Sequence, residues 1–129
     1  MKAAFLLPLS LVLGLSACES SSSTAAPTAV VQPVQLPAGF ERVADASQVC
    51  MVNDQYMGKP QIPIAVEGRT YYGCCPMCKD KLTNQPESRT ATDPVTGEQV
   101  DKARAVMAQD AAGKVLYFAS EATLQRYRG

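Results

Sequence analysis

Tyr71-Tyr72-Gly73-Cys74-Cys75-Pro76-Met77-Cys78 is the stretch on which the reading of this chain turns. Three cysteines fall within five positions, and Cys50 lies upstream beyond a predicted hairpin. Thiols this close together do one of three things. They bind a soft metal, cycle between dithiol and disulfide, or staple a small fold. Arg69 to Gly73 is rich in β-favouring Thr70, Tyr71 and Tyr72 and predicts a strand. Pro76 suits the first turn of a helix, where no amide hydrogen is needed, and that helix runs through Leu82 to stop near Asn84-Gln85-Pro86.

Working back from this stretch, Glu67-Gly68 predicts a tight turn. Ile62, Ile64 and Val66 before it alternate as a strand, which Pro63 confines to a sheet edge because it lacks a ladder donor. Asn53-Asp54-Gln55 and Met57-Gly58-Lys59-Pro60 are turn chemistry. Phe40, Val43 and Ala46 at helical spacing predict a short helix or turn within Gly39–Ser47.

Working forward, the order recurs. Asp93-Pro94-Val95-Thr96-Gly97 predicts a turn, Ala103 to Gln109 a strand, and Asp110-Ala111-Ala112-Gly113 another turn. Lys114 to Ala119 then reads as a strand, and Ser120 caps a short terminal helix over Glu121 to Tyr127. An offset of 45 places Gly68 on Gly113, Tyr72 on Tyr117, Cys74 on Ala119, Cys78 on Thr123 and Leu82 on Tyr127. The expected fold is a small α+β domain of two hairpin–helix units, the second without cysteines.

Cys74 at a strand end and Cys78 in the first turn of a helix can face one point, and the hairpin can return Cys50 to it. Helix amides and the positive end of the helix dipole favour thiolate there. Sulfur-only surroundings suit Cu(I) or Zn(II): three thiolates match trigonal Cu(I), and Zn(II) takes a fourth ligand, from Cys75 or water. Adjacent residues at a strand end point to opposite sides, so Cys75 is the spare or a weaker fourth ligand. Met51 and Met77 can add thioether sulfur, whereas Met57 reads as packing. Two alternatives stay open. One is a disulfide-stapled interaction module. The other is a thiol–disulfide oxidoreductase using Cys75-Pro76-Met77-Cys78.

Cys50, 23 intervening residues, Cys74, three more and Cys78 resemble the TRASH domain, a small cysteine module tied to heavy-metal trafficking, resistance and sensing. Gly68-Arg69-Thr70-Tyr71-Tyr72 before Cys74 is similar to the related YHS domain, as are Asp93-Pro94-Val95-Thr96-Gly97 and Tyr117-Phe118-Ala119-Ser120. In that second copy Thr96 and Ala119 stand where the family's cysteines would be. The resemblance implies a metal-binding unit over 37–88 and a degenerate YHS-like unit over 89–129. It implies metal handling, with copper or zinc left open. The chain is accordingly expected to be a binding protein rather than an enzyme, with a metal-transfer protein of the envelope as a partner.

At the N-terminus, Met1-Lys2 and an apolar run from Ala3 to Leu15 predict a signal peptide over 1–17; about 20 apolar residues are needed to span a bilayer. The run ends in Leu15-Ser16-Ala17-Cys18, which resembles a bacterial lipobox. The resemblance implies cleavage before Cys18 and a lipid anchor on that residue, and Glu19 after it favours the outer membrane, facing the periplasm. Residues 18–36 are rich in Ser, Thr and Pro and read as a flexible tether with a reach of about 25 Å. Lys+Arg and Asp+Glu balance at 12 each, which gives no electrostatic footprint for nucleic acid. The chain has no His, so the usual general base and the commonest nitrogen ligand are missing. That argues against a hydrolytic zinc enzyme or a Cys-His protease.

Overall fold

The computed structural model describes residues 35–129. The predicted signal peptide, Cys18 and nearly all of the tether lie outside the described residues. No helix among the described residues is long and apolar enough to cross a membrane.

The domain is α+β, with small antiparallel sheets and two short helices. Its first unit begins with a 3-10 turn, Ala46–Gln48, and a short hairpin of β2 (Val49–Cys50) and β3 (Gln55–Tyr56). A second hairpin follows, β4 (Ile62–Val66) with β5 (Arg69–Gly73), and then helix α1 (Pro76–Asn84). The second unit repeats this order. A 3-10 turn, Pro86–Arg89, leads into β6 (Thr90–Thr92) paired with β7 (Gln99–Asp101). Then come β8 (Val106–Asp110) paired with β9 (Val115–Phe118), and helix α2 (Glu121–Arg126). Ahead of both units, β1 (Phe40–Arg42) pairs with β8.

Local chemistry explains most of these elements. The β4–β5 turn places Glu67 at φ 51° and Gly68 at φ 75°, and positive φ at both central residues matches the twist of a two-residue hairpin. Among the described residues β4 pairs with β5 alone, so Pro63 sits on a sheet edge as expected. α1 starts with Pro76 in its first turn and stops before Pro86. Its buried residues, Cys78 and Leu82, are four apart and share one face. α2 opens with a capping box: Ser120 Oγ accepts the Thr123 amide at 3.3 Å, and Thr123 Oγ1 accepts the Ser120 amide at 3.2 Å.

Two expectations need correction. Within Gly39–Ser47 only Ala46 and Ser47 belong to a helical turn, the 3-10 turn Ala46–Gln48; Phe40–Arg42 is a strand, because β8 offers it a partner far along the chain that local spacing cannot reveal. The strand expected from Ala103 begins only at Val106. Ala103–Ala105 turn instead, with the Ala103 amide donating to the Asp101 carboxylate at 2.9 Å and the Arg104 and Ala105 amides donating to the Asp101 carbonyl.

The larger apolar cluster draws on both units: Val49, Met51, Ile64, Tyr71 and Leu82 from the first, Met107, Val115 and Tyr117 from the second. Polar ties reinforce it. Arg69 and the Tyr71 hydroxyl both donate to Asp101. The Tyr56 amide donates to the Gly113 carbonyl, and the Val115 amide to the Asp54 carbonyl. Lys102 is buried, and its ammonium donates to the Met51 carbonyl at 2.7 Å and to Asp54 at 2.5 Å, above the Tyr117 ring. It thus ties the second unit to the turn that follows Cys50. Lys102→Met should lower stability by about 1.5–3 kcal/mol, the value of hydrogen bonds that involve a charged group. Chemical denaturation checks this, and an unchanged midpoint would show the tie to be idle.

Candidate metal centre

Three elements bring the cysteines together. Cys50 ends β2, and the turn after it is fixed by the Met51 amide donating to the Tyr72 carbonyl of β5 at 2.9 Å. This bond sets Cys50 beside the end of β5. Cys74 follows β5 directly, and Cys75 is the N-cap of α1. Cys78 projects from the first turn of α1, on the face that also buries Leu82. Gly73 makes the approach of α1 feasible. A Cβ built there would lie 2.5 Å from Cys78 Cβ and 3.2 Å from Ile64 Cδ1.

The sulfurs of Cys50, Cys74 and Cys78 all lie within 4.8 Å of one another, an arrangement that can hold a metal ion. Cys78 is the hub: its Sγ is 3.8 Å from Cys50, 3.6 Å from Cys74 and 3.3 Å from Cys75. Sulfurs about 2.3 Å from a common tetrahedral ion stand about 3.8 Å apart, so the spacing around Cys78 is near that of a thiolate-ligated soft ion. All four cysteines among the described residues are free thiols. Cys75 therefore sits closer to the cluster than strand alternation suggested. The strand ends at Gly73, and Cys74 and Cys75 lie past it, where alternation no longer applies.

Cys50 and Cys78 are buried and Cys74 is exposed, so the cluster opens to solvent on one side. That side carries a groove of about 440 Å³ lined by Met57, Lys59, Pro60, Gln61, Ile62 and Cys74. Met51 is wholly buried and packs in the larger apolar cluster, while Met77 is 70% exposed.

The four thiols differ in acidity. Burial pushes the Cys50 thiol up, but the amides of Asn53, Val52 and Cys74 outweigh it and hold the group below the ordinary thiol range. Cys75 is also lowered, first by its contact with the Cys78 thiol. Cys74 is raised, first by its interaction with Cys50. Cys78 is pushed up to about 12, by burial first and then by its bonds to Cys75 and Cys74. A metal bound by Cys50, Cys74 and Cys78 must displace the protons these thiols hold, with those of Cys74 and Cys78 held more tightly than that of Cys50. Its apparent affinity should rise with pH, by about one decade per pH unit for each proton displaced. Competition titrations at several pH values near neutrality check this; a flat profile would contradict it.

Sequence reasoning did not assign roles to Gly73 and Lys102. A glycine between a strand and a helix start is a signal for close approach. A lysine that closes a core from a turn leaves no comparable trace. Comparison with protein-family models, curated proteins and solved structures finds no match to this chain.

Proposed function

We propose that this is a lipid-anchored protein of the bacterial cell envelope that binds one soft metal ion, Cu(I) or Zn(II), for trafficking, buffering or resistance. The observation that carries the metal reading is the convergence of Cys50, Cys74 and Cys78 sulfurs from a strand end, a strand–helix junction and a helix. The TRASH-like spacing of those cysteines supports the same assignment. The exposed Cys74 and its groove give an ion, or a metal-transfer protein, a way to reach the site. Anchoring through Cys18 rests on Leu15-Ser16-Ala17-Cys18 alone, and mass spectrometry of the mature protein tests it.

A redox reading has one observation in its favour. Cys75 and Cys78 are 3.3 Å apart, with the first thiol lowered and the second raised. Such a pair has no need of Cys50 and Cys74, yet both converge on Cys78. Single Cys→Ser variants decide between the two. In the metal reading, Cys74→Ser lowers Cu(I) and Zn(II) affinity by more than about a hundredfold, beyond the effect of losing an outer-shell partner, and Cys75→Ser costs far less. If Cys75→Ser is as damaging as Cys74→Ser, the three-ligand assignment fails. If instead Cys75→Ser abolishes disulfide exchange with a small dithiol and no variant affects metal, the redox reading replaces it.

A further inference from the structure

The two units agree in more than their order of elements. The N-caps of their helices have nearly the same backbone: Cys75 at φ −156°, ψ 167°, and Ser120 at φ −160°, ψ 168°. Cys78 and Thr123 are the third residues of their helices, and both are buried. The turn after Cys50 places Asp54 at φ 54°, and the turn after Asp93 places Gly97 at φ 74°. Cys50 pairs with Gln55 across β2–β3, and the Asp93 amide donates to the Glu98 carbonyl at the matching place beyond β6–β7.

The side chains then align through their partners. The amides of Val52, Asn53 and Cys74 are the groups that hold the Cys50 thiol low. Asp93 Oδ1 accepts the Val95 amide at 2.7 Å and the Thr96 amide at 3.3 Å, and Oδ2 accepts the Ala119 amide at 2.7 Å. These donors occupy the same positions: two and three residues on, and the first residue after the second hairpin. Asp93 is fully buried, and Thr123, the counterpart of Cys78, is among the neighbours that favour its charged form. The residue in the place of Cys50 is thus Asp93, not Thr96 as the sequence pattern suggested. Thr96 contributes its amide to the cradle, and its hydroxyl accepts the Glu98 amide. The frames part at Gly73, whose counterpart is Phe118, a core residue packed with Ala108 and Leu124.

We propose that the second unit is a copy of the metal-holding unit in which the Asp93 carboxylate fills the cradle of Cys50 and closes the site from within. The second unit then needs no ion to hold its shape, and it braces the first unit through the shared core. The part of this that concerns cargo rests on the metal reading above: an ion held by Cys50, Cys74 and Cys78 can be loaded and released while the domain stays folded. Small metal domains without such a brace unfold when the ion leaves. An anion suits the cradle because backbone amides aimed at one point favour negative charge, and a carboxylate satisfies them permanently.

Three measurements on the full chain test this. Metal-free wild type should keep a native circular-dichroism spectrum and a cooperative melt; an unfolded metal-free form overturns the proposal. Asp93→Asn should lower the melting temperature by about 10 °C or more, by the same amount with and without metal. An unchanged melting temperature overturns the lock. The four-residue variant Cys50→Asp, Cys74→Ala, Cys75→Ser, Cys78→Thr gives the first unit the chemistry of the second. It should bind no metal and melt within about 5 °C of metal-free wild type, a shift worth about 1 kcal/mol or less. Loss of its cooperative melt overturns the equivalence of the two cradles. Metal titration of the wild type is scored separately: if it takes up no ion, the metal reading fails, while the three melts still judge the role of Asp93.

Discussion

Cys78→Ser should abolish the proposed stoichiometric binding of Cu(I) or Zn(II) while leaving the metal-free domain folded. Cys78 is the cysteine whose sulfur lies within 3.8 Å of those of Cys50, Cys74 and Cys75. Removing it breaks the triangle with Cys50 and Cys74, and it also removes the contact that draws Cys75 toward the cluster. Two sulfurs remain for a soft ion, and a serine hydroxyl is a harder donor that stays protonated. Affinity should fall by more than about a thousandfold, against the 10–100-fold typical of an outer-shell loss. Serine is close to cysteine in size, so the packing of α1 changes little. Met77→Ser is the control from the same helix turn: the side chain is 70% exposed and affinity should not move. Competition titration with a chelator of known affinity measures both. Cys78→Ser binding within threefold of wild type would sink the assignment of Cys78 as a ligand.

Gly73→Ala should weaken metal binding although it touches no sulfur. The added methyl would meet Cys78 Cβ at 2.5 Å, inside the distance that real Cβ atoms keep, and Ile64 Cδ1 at 3.2 Å. The Ile64 side chain can turn away. Cys78 Cβ belongs to the first turn of α1, so relief there requires the helix to shift. Overpacking of this kind costs about 1–3 kcal/mol in stability. A displacement of Cys78 by a few tenths of an ångström also opens the sulfur triangle, and metal affinity should drop by about tenfold or more, the scale of a lost outer-shell contact. Melting curves and metal titrations on the same samples separate the two effects. If stability falls and affinity does not, Gly73 serves packing alone.

Much of this architecture is legible in the sequence, and the parts that are not have identifiable causes. Glu67-Gly68, Pro76 and Ser120 act through local backbone chemistry, so β4, β5, α1 and the start of α2 fall where turn and cap residues place them. β1 escapes because its partner among the described residues, β8, is far along the chain. The short hairpins β2–β3 and β6–β7 escape because two or three residues are too few to show a period. At the centre, the spacing of Cys50, Cys74 and Cys78 foretells their convergence. The place of Cys75 depends on where β5 ends, and that is settled by one residue, Gly73. Asp93 is the clearest omission. A fixed offset between the copies slides past it, because the two units differ in length between their hairpins. Only its three amide partners show which residue it replaces.

The most direct test of the central claim is metal analysis of the mature protein, purified without oxygen, by elemental analysis together with X-ray absorption at the metal edge. The expected result is about one Cu(I) or Zn(II) ion per chain, with sulfur neighbours at about 2.3 Å. In a variant lacking Cys50, Cys74 and Cys78 the metal should fall to background. A protein that takes up no ion under these conditions, or one that keeps its metal in that variant, would contradict the account.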